Sequence, residues 1–290
     1  MRLKILIPAC LFLIFIACPT VDPPEVPPPG VKIIPFSSQT AALDRGIRPK
    51  EGTQNVIVME WDEVETQSVL DRYDVYRSRS LDSVFTFWGS VLVDDPTMFE
   101  DTRVNLDTTY YYFVVAVDSK ENMSDTSKYF ENSDSIAAYV QSFRLGPKVK
   151  SLAFPTISDD TVSTKPRFTW CLGQETRVPI KYVVRLALPP FENPIPIWIA
   201  ELPYLGFGGG NCDDPASQEY ATFHNASYPA SEVIDSLRAR TNVTVSFIDN
   251  VRLPGPRLSK TNYLWRVDCV YGTRFESRGG WMPFLVNADY

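Results

Sequence analysis

The stretch "TTYYYFVVAVD", residues 108–118, decides the fold. Eleven residues carry seven β-branched or aromatic side chains after the opening threonines, with no helix former but one alanine, so an extended strand is the favoured conformation. At period two, Tyr110, Tyr112, Val114 and Ala116 share one face. Working outward, "NVIVMEW" (55–61) alternates and "RYDVYRS" (72–78) reads as a strand, with the turn clusters "DDPT" and "NLDT" between the elements. The second half repeats this grammar. "KPRFTW" (165–170) puts Phe168 and Trp170 on one face, "IKYVVRLAL" (180–188) is strand-like, and "TNYLWRVDCVYG" (261–272) parallels the opening stretch. Tyr263, Trp265, Val267 and Cys269 then correspond to Tyr110, Tyr112, Val114 and Ala116. "GGWMPFLV" (279–286) closes as the last strand. Short strands at this spacing predict an all-β fold of antiparallel sandwiches.

These residues resemble the bacterial fibronectin type III family. Trp61 matches the core tryptophan of the second strand, "YDVYRS" the third strand, "FEDTRV" (99–104) the approach to the sixth, and "TTYYYFVVAVDSKENMSDTS" the sixth strand with its following turn. The resemblance implies two tandem immunoglobulin-like sandwiches, over about 31–142 and 143–290, with the second carrying an insertion at about 203–242. It places Tyr110 at the tyrosine corner, where the hydroxyl bonds to nearby backbone. In that strand order the loop after Trp170, the 203–242 segment and a loop at 272–279 emerge at one pole, with Cys171, Cys212 and Cys269 near it. Cys269 should point inward and Cys171 outward, so the expected bridge is Cys171–Cys212. A short helix is expected in "SEVIDSLRAR" (231–240), capped by Ser231.

The N-terminus speaks to compartment. Arg2 and Lys4 precede an apolar run from Ile5 to Ala17. That run is short for a bilayer span and suits a secretory signal. Its end, "FIAC", resembles the bacterial lipobox, with Ala17 and Cys18 in place and Phe15 where leucine is usual. The resemblance implies a signal peptide over 1–17 and lipid attachment at Cys18, hence a lipid-anchored protein of the bacterial cell envelope. The alternative is an ordinary cleaved signal, with Cys18 incidental. "PTVDPPEVPPPG" (19–30) holds six prolines in twelve residues, and a tether over 18–30 fits a polyproline stand-off.

Composition excludes several functions. The full chain has a formal net charge of −7. Without Arg2 and Lys4 its 28 basic residues fall to 26 against 35 acidic, or −9. Nucleic-acid binding, which rests on neutralising phosphates, is not expected. Of five cysteines, Cys10 and Cys18 belong to the leader. The other three fit no zinc spacing and predict one disulfide and one buried thiol. His224 is the only histidine, no G-x-S-x-G elbow is present, and "GFGGG" (206–210) lacks the lysine of a phosphate loop. No catalytic residue, cofactor or metal is expected. Asp213 and Asp214, in "GGGNCDDP", are the acidic pair best placed to meet an ion, but they read first as a turn. Aromatics including Trp198, Tyr204 and Phe207 serve either as core or as a sugar-stacking platform. Loops on a rigid sandwich carry recognition, so Tyr204, Phe207, Asn211, Asp213 and Asp214 form the expected binding loop. The reading is a non-catalytic envelope lipoprotein for adhesion, scaffolding or assembly through protein or glycan partners. The alternative is a carbohydrate-binding accessory module.

Overall fold

The computed structural model describes residues 26–37, 45–65, 69–124, 139–156, 162–163, 166–173, 177–192, 194–204, 211–214, 218–222, 244–247, 258 and 260–288. The signal peptide, Cys18, most of the tether, Phe207, His224 and the helix expected at 231–240 lie outside them. The chain is all-β, built as two sandwiches in sequence.

In the first sandwich, β1 (Arg48–Pro49), β2 (Ile57–Glu60) and β5 (Met98–Asp101) form one sheet in the order β1-β2-β5. The facing sheet runs β4-β3-β6-β7, from β3 (Leu70–Ser78), β4 (Thr86–Leu92), β6 (Thr109–Asp118) and β7 (Gln141–Leu145). The period-two reading of 108–118 holds: Tyr110, Tyr112, Val114 and Ala116 are in the core with Trp61, Tyr73 and Val75. Trp61 meets Tyr73 edge-on at 5.5 Å between ring centroids. The tyrosine corner forms as expected, with the Asn105 N–H donating to the Tyr110 hydroxyl at 3.1 Å. The other face of β6 is also covered, by a smaller cluster of Phe113, Val115 and Val140. This explains why the strand is apolar along its whole length rather than alternating with polar residues.

In the second sandwich, β8 (Ser151–Phe154), β10 (Arg167–Cys171) and β13 (Glu219–Thr222) form a sheet in the order β13-β10-β8. Against it stand β11 (Lys181–Leu188), β12 (Ile195–Pro203), β14 (Thr244–Phe247), β15 (Asn262–Gly272) and β16 (Phe275–Arg278), in the order β14-β12-β11-β15-β16. A further strand, β17 (Met282–Ala288), pairs with both β15 and β9 (Val162–Ser163). Tyr263, Trp265, Val267 and Cys269 all enter the core, around Phe168, whose ring lies 4.9 Å from that of Trp265.

Three expectations change. The 203–242 segment, expected as an insertion, supplies β13, a strand of the smaller sheet, which pairs antiparallel with β10 through Phe168↔Ala221. The loop expected at 272–279 is a two-residue turn, because Arg274 takes a positive φ of 53° and lets the chain reverse into β16 at once. The boundary expected at 142 falls inside β7, because Phe143 and Leu145 alternate into the first core.

Candidate functional site

At the expected binding pole the disulfide forms between Cys171 and Cys212, as expected, with Cα atoms 5.5 Å apart. Cys171 is fully buried on β10 and Cys212 lies on the surface turn it holds. Cys269 is the buried free thiol. Burial pushes its pKa up to about 12. Asn211 organises the turn: its side-chain oxygen accepts from the Asp213 N–H at 3.2 Å and its carbonyl from the Asp214 N–H at 2.9 Å. Asp213 and Asp214 are exposed. Among the described residues no group of three or more acidic, histidine or cysteine side chains is placed to hold a metal. Tyr204 is half-buried, packs on the core and meets Tyr182 edge-on at 6.2 Å. Trp198 is buried. The structure thus brings Asn211, Cys212, Asp213 and Asp214 together and uses Tyr204 and Trp198 for packing.

A second aromatic group lies on the outer face of the first sandwich. Tyr76 stacks on Phe113 with centroids 4.9 Å apart and planes 8° from parallel, and Phe87 meets Tyr76 edge-on. Val84 and Phe87 are 87% and 56% exposed. Beside them runs a groove of about 520 Å³.

The most elaborate site is the junction between the two sandwiches. β7 runs on past its own sandwich and pairs in parallel with β16, through Arg144↔Phe275 and Leu145↔Glu276. The larger sheets of both sandwiches therefore join into one. The linker that follows is tied down on both sides. Gly146 N–H donates to the Glu276 carbonyl at 3.1 Å, and the Tyr271 hydroxyl donates to the Pro147 carbonyl at 2.8 Å. Gly146 lies against the Tyr271 ring, where a Cβ would not fit. Lys148 Nζ turns back to the first sandwich and donates to the carbonyls of Gly52 at 2.5 Å and Gln54 at 2.7 Å. Burial lowers its pKa to about 8.

Beside this seam a cleft of about 420 Å³ opens between the sandwiches. The cations Arg48, Lys50, Arg185, Arg266 and Arg278 line it, with Glu51, Glu100, Glu192 and Trp281. The floor comes from outward-facing positions of β11, β15 and β16: Arg185 is directly opposite Arg266, and Asp268 opposite Arg278. Asp268 accepts from Arg185 Nε at 3.0 Å and from Arg266 Nε at 3.1 Å. Glu276 takes Arg278 at 3.5 Å. All five of these side chains are buried. From the first sandwich Glu51 reaches across to Arg266, and also accepts from Trp281 Nε1 at 2.6 Å. The Arg266 guanidinium sits 4.6 Å from the Trp281 ring centroid. On the opposite wall Arg48 pairs with Glu60 at 2.7 Å and Lys50 with Glu100 at 2.6 Å. The sequence reading missed this cleft. Its trace is "LWRVDCV", where Arg266 and Asp268 occupy the outward positions of an otherwise apolar strand. Charges there would ordinarily meet water.

No family model matches the chain, and no curated protein matches it. Among solved structures it is similar to a fibronectin type III-like protein from Clostridium thermocellum, at 21% identity, covering 34% of this chain and 82% of that one, with a TM-score of 0.23. It is also similar to a two-domain fibronectin type III segment of chicken tenascin, at 11% identity, covering 83% and 97%, with a TM-score of 0.26. The central fibronectin type III array of RIM-binding protein matches at 10%, covering 88% and 72%, with a TM-score of 0.25. Likenesses this distant carry no argument about activity, and the fold rests on the strand order and registers above.

Proposed function

We propose that the chain is a non-catalytic lipoprotein of the bacterial cell envelope, anchored through Cys18, which presents two sandwiches as one stiff body on a proline-rich tether. Its role is adhesion, scaffolding or assembly by contact with protein or glycan partners. The observation that supports this reading is the zipped linker. A chain built only to string modules together has a loose connection, and relative motion is the default for domains in tandem. Here β7 pairs across the junction and Lys148 and Glu51 reach over it in opposite directions, so the two sandwiches keep a fixed spacing. Fixed spacing is what a structural or docking part requires. The sugar-binding alternative has less support, because Trp198 and Tyr204 are committed to packing.

The test is the intact mass of the protein from its native membranes beside a Cys18→Ser form. The expected native form begins at Cys18, carries acyl mass and sediments with membranes, and the variant loses all three properties. An unmodified, soluble native form overturns the anchor. Spin labels at Val84 and Leu285, both exposed, should give one narrow distance distribution. A broad one overturns the stiff body.

A further inference from the structure

Five cations line the interdomain cleft, in a chain of net charge −7. Three carboxylates line it with them, and Glu60, Asp268 and Glu276, which pair with Arg48, Arg185, Arg266 and Arg278, do not line it. One carboxylate already occupies the deepest cation. Glu51 is held by Arg266 and by the Trp281 indole N–H, and its side chain remains 39% exposed while that of Arg266 is 1% exposed. The recognising group is therefore at the floor and the recognised group at the mouth. A buried, fixed guanidinium with an indole donor beside it is a charge-assisted slot for a carboxylate. The linker is held independently through Lys148, so releasing Glu51 leaves the sandwiches joined.

We propose that this cleft binds an acidic segment of a partner protein, with a glutamate or aspartate of that segment replacing Glu51 on Arg266 and Trp281. Lys50 and Arg48 on the opposite wall receive the flanking carboxylates. Lys50 and Glu100 are partly exposed, and such pairs exchange at little cost. A volume of about 420 Å³ admits a few side chains of an extended segment and no folded domain. A peptide carboxylate is favoured over an acidic sugar because the group that fills the slot now is a glutamate side chain.

This inference rests on the binding role proposed above, and its test is independent of the anchor. Calorimetry on the mature chain would compare capped hexaglutamate with capped hexaglutamine and with an oligoglucuronate. Hexaglutamate should bind in a salt-sensitive manner and hexaglutamine should not. Glu51→Gln, which keeps the shape and removes the competing charge, should tighten hexaglutamate by about fivefold. Lys50→Ala, at the surface, should weaken it by about threefold. Absence of hexaglutamate binding to both the native chain and Glu51→Gln, or binding that neither substitution alters, overturns the site. Tighter binding of the glucuronate overturns the peptide assignment. A lipidated chain that ignores hexaglutamate loses only the cleft, and an unlipidated chain that binds it loses only the anchor.

Discussion

Cutting the Cys171–Cys212 bridge should show whether the sandwiches unfold together or apart. The two cysteines are separated by 41 residues, so the bridge closes a long loop in the unfolded chain. Loop-closure entropy for that length gives about 4 kcal/mol at 25 °C. The clean perturbation is Cys212→Ser, because Cys212 lies on the surface turn while Cys171 is in the core, where truncation would add a cavity cost. If the second sandwich melts alone, with roughly 145 residues and about 2.1 cal/mol/K per residue, its Tm should fall by roughly 13 °C while the first transition stays in place. If the zipped linker makes both sandwiches one cooperative unit of roughly 260 residues, a single transition should fall by roughly 7 °C. Calorimetry on the native chain, the reduced chain and the variant separates the two. In the native chain Cys269 does not exchange with the bridge before unfolding, since burial keeps it a thiol. A shift under about 2 °C with the bridge shown to be open would refute the loop-closure reasoning.

Three more outcomes are expected. Tyr112 donates to buried Asp101 at 2.8 Å, so Tyr112→Phe should cost about 2 kcal/mol in urea unfolding, while Tyr110→Phe, which loses a neutral bond to backbone, should cost about 1 kcal/mol. Cys269 should resist alkylation in the folded protein and react once the chain is denatured, as mass spectrometry would read directly. Lys148 should titrate near 8 rather than its ordinary 10.5 in an NMR experiment on its side chain. Its folded value is depressed, so the unfolded chain holds more protons between these two values, and this group adds stability as pH rises through that window. A midpoint at 10.5 would mean that the carbonyls of Gly52 and Gln54 outweigh burial.

The sequence alone determined whatever depends on local alternation. A strand's period is two, so "TTYYYFVVAVD" and "TNYLWRVDCVYG" name their own inward faces, and the structure finds those side chains in the two cores. The same arithmetic sent Cys269 inward and left Cys171 to pair with Cys212. Alternation is silent about what covers the outward face. Arg185, Arg266, Asp268 and Arg278 stand on outward positions of their strands and are buried, because pairing between β7 and β16, more than 130 residues apart in the chain, brings the first sandwich over them. β13 escaped notice for a related reason: a four-residue strand carries too little pattern of its own, and its identity comes from the bare edge of β10 that it completes. The cores belong to local sequence, and the cleft belongs to contacts that only the folded chain makes.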